Sequence, residues 1–493
     1  MASLEDPVSV GGLDVPNRLY RAPLLECAGT NPDTADRLVR ELEPAAASGV
    51  GLVVQGAAIV RSEGGCAAPG MTRMADPEFV SGLEAVPEAI HDHGGRVFCQ
   101  LEHGGLRSLE VWHAAHRKRN PDRRQLAVSR PPPLLRALDR AGFLDFDTHV
   151  LSTADVYDLA ADFGRCAGYA VRAGYDGIHV AGANMGIVQQ FLSPYYNRRT
   201  DEFGDGTRFL EAVHDAVREF AGSVPLVAKV PAETEAPPFV RPRLTLPDGV
   251  EIARRLERIG YDGLVPVTGS PFWDMNLVRG KYPERAWAAS DLRAGYEAAL
   301  GGRLRARLVA AANRLQAWQV EERAAWNAEF CRRVREQVSI PVWCEGGIRS
   351  REGIDALLGD TTVAGTEANE REPAAERGPA ADLVGLGRPF YAEPRLGARL
   401  LDGDTDGQAT REAGETGETD DRPDGKRAGA GTGGIEAGGI EAESPENRNG
   451  RRVLCENCNN CTVPQVTGAR GTCRTPSVVR ERARLEKQGV YDD

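Results

Sequence analysis

Residues 173–205 read AGYDGIHVAGANMGIVQQFLSPYYNRRTDEFGD. A short strand with β-branched side chains, residues 177–180, follows a helix in this segment. The chain then enters a long polar loop that carries aromatic side chains, rather than turning back at once. In α/β barrels, the loops at the carboxyl ends of the strands carry the chemistry. The segment therefore predicts a barrel strand whose loop belongs to a functional site.

Apolar strands alternate with amphipathic helices on both sides of this segment. The eight predicted strands are residues 17–23, 51–60, 96–101, 177–180, 226–230, 263–267, 341–345 and 382–386. Such alternation implies a parallel sheet that is covered on both faces. Residues 8–15, with a Gly11-Gly12 turn, predict a β-ribbon that caps the barrel. The predicted fold class is α/β, a (β/α)8 TIM barrel with an N-terminal β-ribbon cap, long inserted loops, a disordered acidic linker and a C-terminal cysteine loop.

Four segments depart from the alternation. Residues 102–152 and 270–320 are long excursions after strands, the first irregular and the second partly helical, and loops of this length are usually functional or disordered. Residues 361–379 predict an acidic, solvated insertion. Residues 402–452 have almost no large apolar side chains, so burial cannot offset their ordering entropy, and they predict a disordered linker. The predicted domains are the barrel at 1–401, the acidic Gly-rich linker at 402–452, and a four-cysteine segment with a terminal helix at 453–493.

The charge balance limits the partners that the chain can bind. Its 493 residues contain 72 acidic against 60 basic side chains, a net charge of −12, with only five lysines. An acidic surface argues against nucleic acid and anionic membranes as partners. No apolar run approaches the ~20 residues of a membrane span. The N-terminal residues lack a signal-peptide pattern. We therefore expect a cytoplasmic protein, and the sequence leaves homo-oligomerisation open.

The run FLSPYYNRRTDEFG, preceded by Gly182-Ala183-Asn184, resembles the signature of a known family. It is similar to the old yellow enzyme (NADH:flavin oxidoreductase) family, and within it to the branch of trimethylamine dehydrogenase and 2,4-dienoyl-CoA reductase. The resemblance covers roughly residues 7–402 and 452–476. It implies a barrel that binds FMN and exchanges hydride between flavin N5 and a small organic substrate. NAD(P)H or a separate electron-carrier protein is the expected redox partner.

The loops after strands seven and eight predict the phosphate end of the cofactor site. Gly346 and Gly347 let backbone N–H groups approach an anion, and Gly387-Arg388 adds a guanidinium. TIM barrels often bind a phosphate between these two loops. The sequence of these two loops also resembles the elements by which the old yellow enzyme family binds the FMN phosphate.

The resemblance implies the remaining cofactor contacts residue by residue. Pro23, Leu24 and Leu25 match the segment along the flavin, and Gly56 matches a backbone contact to its pyrimidine side. Gln100 matches the glutamine that pairs with the pyrimidine ring. Lys229 stands where the family has arginine beside N1 and O2, where a cation favours the anionic reduced flavin. For Gln100 and Lys229 the alternative is ordinary barrel-interior polarity.

The substrate residues depart from the family pattern. Its His/His or His/Asn pair aligns with Ala181 and Asn184, and its proton-donating tyrosine aligns with Gly186. Asn184 and His103 are the candidate catalytic residues. Other polar candidates at the strand ends are Glu26, Glu102, His179, Tyr195 and Tyr196, with His179 favoured as structural. A degenerate barrel that binds FMN without catalysis is the alternative.

Four cysteines near the C-terminus form the second motif, Cys455-x2-Cys458-x2-Cys461-x11-Cys473. This spacing suits either a cubane cluster or a tetrahedral zinc ion. The run CENCNNC resembles the loop that holds a [4Fe-4S] cluster in trimethylamine dehydrogenase, so a [4Fe-4S] cluster is the expected ligand and structural zinc the alternative. No G-x-G-x-x-G follows a strand, so we expect electrons to pass to or from a separate carrier.

Overall fold

A computed structural model describes residues 2–235, 240–272, 278–320, 322–359, 378–401 and 452–491. The predicted linker lies outside these residues except for Arg452, as does the predicted acidic insertion except for its last two residues.

The described residues form twelve strands and eighteen α-helices. The strands are β1 Val8–Val10, β2 Leu13–Val15, β3 Leu19–Arg21, β4 Leu52–Ile59, β5 Arg96–Glu102, β6 Gln125–Ala127, β7 Thr148–Val150, β8 Gly177–Val180, β9 Leu226–Glu233, β10 Gly263–Gly269, β11 Trp343–Glu345 and β12 Leu383–Leu386. The helices are α1 Thr34–Ala46, α2 Pro77–Ser81, α3 Ala85–His91, α4 Leu109–Trp112, α5 Ala114–Arg119, α6 Pro133–Arg140, α7 Thr153–Arg172, α8 Ile187–Leu192, α9 Thr207–Ala221, α10 Leu246–Ile259, α11 Glu284–Ala288, α12 Ser290–Leu300, α13 Arg303–Gln319, α14 Ala328–Arg335, α15 Arg351–Leu358, α16 Arg388–Ala392, α17 Leu396–Leu401 and α18 Pro476–Lys487.

Eight parallel strands form the barrel, in the order β10-β9-β8-β5-β4-β3-β12-β11. The two outer strands of this order also meet, because Leu264 N donates to Pro341 O at 3.0 Å and Leu264 bridges Val342 in parallel. The sheet is therefore closed, and the prediction of a TIM barrel is confirmed. Helices cover its outer face, where the largest apolar core lies between sheet and helices.

The β1–β2 hairpin closes the amino-terminal end of the barrel. Its antiparallel strands are joined by Gly11 and Gly12, whose φ values of +56° and +82° lie in the left-handed region. Val10 and Val15 are buried in the barrel interior, in one cluster with Phe98. The hairpin leaves the opposite end of the barrel uncovered, and there the carboxyl ends of the strands can form a functional site.

The two excursions contain more regular structure than the sequence predicts. Residues 102–152 hold three helices, α4 to α6, and the parallel strand pair β6–β7. The second excursion contains α11 to α13, of which α12 packs against α5 of the first. Together they form a roof over the strand ends. Among the described helices, none is long and apolar enough to cross a membrane.

Candidate active site

A cavity of about 700 Å³ lies at the carboxyl ends of the barrel strands, beneath the roof. Its volume falls within the 300–1,000 Å³ typical of small-molecule sites. The residues from the sequence prediction that line it are Pro23, Leu24, Leu25, Gln100, Asn184, Lys229, Gly346, Gly347, Gly387 and Arg388. The barrel thus brings together side chains that are more than 360 positions apart in the sequence.

Gly346 and Gly347 form a tight turn at the end of β11. Both have positive φ values, +100° and +74°. A Cβ added at either position would lie 2.6 Å from the Trp326 ring, so only glycine fits this turn. A turn that exposes backbone N–H groups suits an anion such as a phosphate.

Three arginines line the cavity near this turn. Arg388 donates to Arg279 O at 2.7 Å and to the side chain of Asn459. Arg349 pairs with Glu322 at 3.0 Å, and the Arg279 guanidinium lies over the Trp326 ring. The glycine turn and these guanidiniums fit a phosphate-bearing cofactor such as FMN.

Lys229 forms an ion pair within the cavity wall. Its Nζ donates to Glu345 Oε2 at 2.6 Å, and both side chains are largely buried. Tyr20 donates to the other Glu345 oxygen at 3.0 Å. The charge of Lys229 is therefore balanced. Glu345 is not among the site residues predicted from the sequence, although its place directly before Gly346-Gly347 is a signal that could have identified it.

Gln100 lines the same cavity as Lys229, and His179 contacts its side-chain amide. Its Nε2 is 3.0 Å from His179 Nδ1. Burial lowers the pKa of His179 well below its usual range, and the nearby Lys229 lowers it further. His179 is thus neutral and fully buried, and it does not line the cavity. This position agrees with the structural role favoured for it.

Asn184 lines the cavity and has a left-handed backbone conformation. Asn184 and Met185 have φ values of +59° and +63° directly after β8. Asparagine is among the residues that adopt this region most readily, and such conformations cluster at functional sites. Arg107 donates to the Asn184 carbonyl and so fixes the turn.

The Glu102 side chain lies next to Gly186, the position that aligns with the family's proton-donating tyrosine. A Cβ added at Gly186 would lie 3.2 Å from Glu102 Oε1. That oxygen accepts a hydrogen bond from Arg107 Nη2 at 2.7 Å. Glu102 and Arg107 both line the cavity, whereas the other polar candidates Glu26, His179, Tyr195 and Tyr196 do not.

Two predicted site residues lie behind the cavity wall. Gly56 donates its N–H to Glu26 Oε2 at 2.9 Å, and a side chain at this position would collide with the Leu24 carbonyl. The two ring nitrogens of His103 contact Glu63 O at 3.3 Å and Gly105 N at 3.1 Å. Burial lowers the pKa of His103 to about 4, so its ring is neutral. Neither residue lines the cavity, so the structure gives His103 no contact with a bound substrate.

The four C-terminal cysteines line a second, small cavity. The loop that carries them turns at Asn457 and Asn459, with φ values of +55° and +58°, on either side of Cys458. Burial raises the pKa of Cys461 to about 12 and also raises the pKa of Cys455, while the Arg388 guanidinium acts in the opposite direction on both. All four cysteines line this one cavity, and thiolates are the donor type that zinc ions and iron–sulfur clusters take.

The cysteine loop packs against the barrel mouth. Lys281 donates its N–H to Asn457 O at 2.9 Å, and Gln465 donates to the Leu25 carbonyl. The two cavities adjoin, because Arg388, Cys455 and Asn457 line both. Within the described residues, no three His, Cys, Asp or Glu side chains are arranged to hold a single metal ion.

Residues 3–236 match the model of the NADH:flavin oxidoreductase / NADH oxidase family. Similar proteins include the NADH:fumarate oxidoreductase of Klebsiella pneumoniae, 30% identical over 46% of this chain and 24% of that protein. The metal reductase of Desulforamulus reducens is 28% identical over 58% of this chain and 41% of the relative. The NADPH dehydrogenase of a Geobacillus species is 29% identical over 52% of this chain and 71% of the relative. The chain thus spans less than half the length of the first two relatives.

Solved structures share the fold. A 2-naphthoyl-CoA reductase complex superposes with a TM-score of 0.58 at 16% identity, covering 81% of this chain and 52% of the other. The old yellow enzyme homologue from Zymomonas mobilis gives a TM-score of 0.55 at 19% identity, covering 81% of this chain and 92% of the other. At these identities, the likeness supports the barrel architecture.

Proposed function

Residues 3–236 of this chain belong to the NADH:flavin oxidoreductase / NADH oxidase family, and on this basis we propose that the protein is an FMN-dependent oxidoreductase acting on a small organic substrate. A bound FMN would supply hydride exchange at its N5 atom. A [4Fe-4S] cluster on the four cysteines would supply single-electron transfer, so that a separate carrier could act as donor or acceptor.

One observation carries this proposal. Ten of the twelve residues that the sequence assigns to FMN or substrate line a single cavity at the catalytic end of a TIM barrel. They come from six different strands or from the loops directly after them. A set assembled from so many parts of the chain is better explained by one shared ligand than by ordinary interior polarity.

The chain's own residues divide into three roles in this proposal. Gly346, Gly347 and Arg388 bind the phosphate, while Gln100 orients the ring system through hydrogen bonds. The Lys229–Glu345 pair sets the charge beside that ring system, and because the pair is neutral it favours anionic reduced flavin less than an unpaired cation would.

Asn184 and Glu102 would contact the substrate. Asn184 offers an amide that can donate a hydrogen bond to an activating oxygen. Glu102 is the carboxyl group nearest the space that a side chain at Gly186 would enter, and Arg107 holds it in place. We assign Glu102 to proton transfer at the substrate, in place of the tyrosine found in relatives.

Cys455, Cys458, Cys461 and Cys473 would hold the cluster. The support is the cysteine spacing together with the position of all four cysteines on one small cavity that adjoins the flavin cavity. Their thiols are not arranged around a single ion in this structure, so the proposal includes a rearrangement of the loop on binding. Structural zinc with an NAD(P)H-dependent flavin reductase activity is the second candidate, because four thiolates also suit zinc.

The test is anaerobic purification followed by flavin, iron, sulfide and zinc analysis. The proposal predicts about one FMN, four irons and four sulfides per chain. One zinc without sulfide, together with complete flavin reduction by NAD(P)H, would support the second candidate. A protein that binds FMN but resists reduction by every donor would be a degenerate flavin-binding protein. Failure to take up FMN would overturn the proposal itself.

A further inference from the structure

The roof of the active-site cavity differs from its floor in chemistry. The floor consists of the strand ends with their backbone groups and glycines, together with the arginines near the Gly346-Gly347 turn. The excursions contribute apolar side chains to the roof. These are Trp112, Phe143, Leu144, Trp287, Leu308 and Val309. A ligand that fills this part of the cavity therefore has an apolar body.

Two arginines stand among these apolar side chains. Arg117 comes from α5 in the first excursion, and Arg305 comes from α13 in the second. They lie within electrostatic range, since burial lowers the pKa of Arg117 and the Arg305 charge lowers it further. Two like charges in one partly apolar cavity repel each other, and an anion between them removes that repulsion.

The two arginines differ in their partners. Arg117 contacts Val111 O at 2.7 Å and Asp145 at 3.2 Å, and the Asp145 side chain is 65% exposed. Asp139 is the other acid that acts on Arg117, and its Oδ1 accepts a hydrogen bond from Phe146 N. Among the described residues, the Arg305 side chain has neither a hydrogen bond nor an ion pair. Its guanidinium lies beside Gly142 and Gly301 instead.

From this geometry we propose that Arg117 and Arg305 bind the anionic group of the substrate, which is an amphipathic carboxylate with an apolar body. The inference rests on the proposed function and names the substrate class of the same site. The apolar body fills the space between Trp112, Phe143 and Leu308, and the opposite end of the molecule reaches Asn184 on the floor. The guanidinium fork matches the geometry of a carboxylate.

The test compares two matched probes, 3-phenylpropanoate and its neutral amide. Isothermal titration calorimetry with the flavin-loaded protein measures the two dissociation constants. We expect the carboxylate to bind roughly tenfold or more tightly than the amide, since hydrogen bonds to charged groups are the stronger class. The Arg305→Gln and Arg117→Gln variants should each lose most of this preference and leave amide binding nearly unchanged.

Arg307→Gln is the control variant. Arg307 lies on the same helix as Arg305 but is exposed and does not line the cavity. Its substitution should leave both dissociation constants at the wild-type values. Equal affinity for acid and amide, equal loss in Arg307→Gln, or no carboxylate binding at millimolar concentration would each overturn the inference.

The flavin content of the same samples separates this inference from the proposed function. Protein that carries FMN but does not discriminate the carboxylate from the amide refutes the substrate class alone. Protein that cannot be loaded with FMN refutes the proposed function.

Discussion

Glu102 is the residue on which the proposed proton transfer depends. Its carboxylate is buried, lines the cavity and lies beside Gly186, where the side chain of the family's proton donor is missing. We expect Glu102→Gln to slow the reoxidation of reduced flavin by an organic acceptor roughly 10²- to 10⁴-fold, as the loss of a general acid or base does. Anaerobic stopped-flow absorbance measures this rate.

Tyr195→Phe is the matched control for Glu102→Gln. The Tyr195 hydroxyl is buried without a hydrogen-bond partner, and it does not line the cavity. Its removal should leave the reoxidation rate unchanged. A Glu102→Gln protein with normal FMN content and wild-type rate would exclude Glu102 from proton transfer.

The Lys229–Glu345 pair governs the charge beside the flavin. Glu345→Gln should leave Lys229 unpaired and raise the flavin midpoint potential, because an unbalanced cation stabilises the anionic reduced form. Lys229→Met should lower the potential for the opposite reason. Equilibration with redox dyes of known potential measures both shifts.

The double variant Lys229→Met/Glu345→Gln is the control for this prediction. It removes both charges, so its midpoint potential should return close to that of the wild type. Shifts in the same direction for both single variants would contradict the electrostatic explanation.

At the scale of elements, the β11–α15 turn decides whether the phosphate is bound. Gly346→Ala places a Cβ 2.6 Å from Trp326 Nε1 in a backbone with φ of +100°. We expect this variant to lose most of its FMN affinity and about 1–3 kcal/mol of unfolding free energy through strain. Flavin fluorescence titration and denaturant unfolding measure the two effects.

Gly353→Ala tests whether any glycine near this turn behaves in the same way. Gly353 lies inside α15, and the nearest atom to an added Cβ would be Ser350 Oγ at 3.5 Å. Alanine favours a helix by up to about 1 kcal/mol over glycine, so this variant should be as stable as the wild type or slightly more so. Equal loss of FMN in both variants would argue against the specific role of the Gly346 turn.

The contact between α1 and β3 predicts a pH dependence of stability. Arg21 on β3 pairs with Glu26 at 2.9 Å and with Glu41 on α1 at 3.4 Å. Burial raises the pKa of Glu41 from 4.5 to about 7, and nearby Glu26 adds to this rise, against the opposing charges of Arg21 and Arg470. The folded state therefore binds a proton at Glu41 more tightly than the unfolded state does.

The sign of the effect follows from this difference in proton binding. The contribution of Glu41 to stability is full below pH 4.5 and is lost as the pH rises through about 7. Denaturant unfolding between pH 4.5 and 7.5 should show a smaller decline of stability in Glu41→Gln than in the wild type. Parallel curves for the two proteins would exclude Glu41 as the titrating group.

At the scale of the whole molecule, the sequence predicts the barrel well because its signals are local. Strand β8 has the predicted bounds, and the apolar alternation on both sides specifies a covered parallel sheet. Asn184 and Gly346 follow strands and Lys229 lies within one, and parallel topology is enough to bring such residues to one end of the barrel.

The remaining part of the site depends on tertiary packing that no local pattern encodes. His103 is a candidate by its place in the sequence, but its two ring nitrogens contact Glu63 O and Gly105 N, and the residue does not line the cavity. Glu345 becomes a partner of Lys229 only because closure of the barrel places β11 and β9 on the two sides of β10. Likewise, Arg117 and Arg305 meet through the packing of the two excursions, whose internal structure the sequence underestimates.

The position of Arg388 between the two cavities has a thermodynamic consequence. One guanidinium lies on the wall of both the flavin cavity and the cysteine cavity, so the charge at either place acts on the same side chain. Binding equilibria that share a group are linked reciprocally. Under the proposed function, the factor by which a cluster at the cysteines changes the FMN dissociation constant must equal the factor by which bound FMN changes the dissociation constant of the cluster. The two proposed centres therefore form one equilibrium, and the occupancy of either reports on the other.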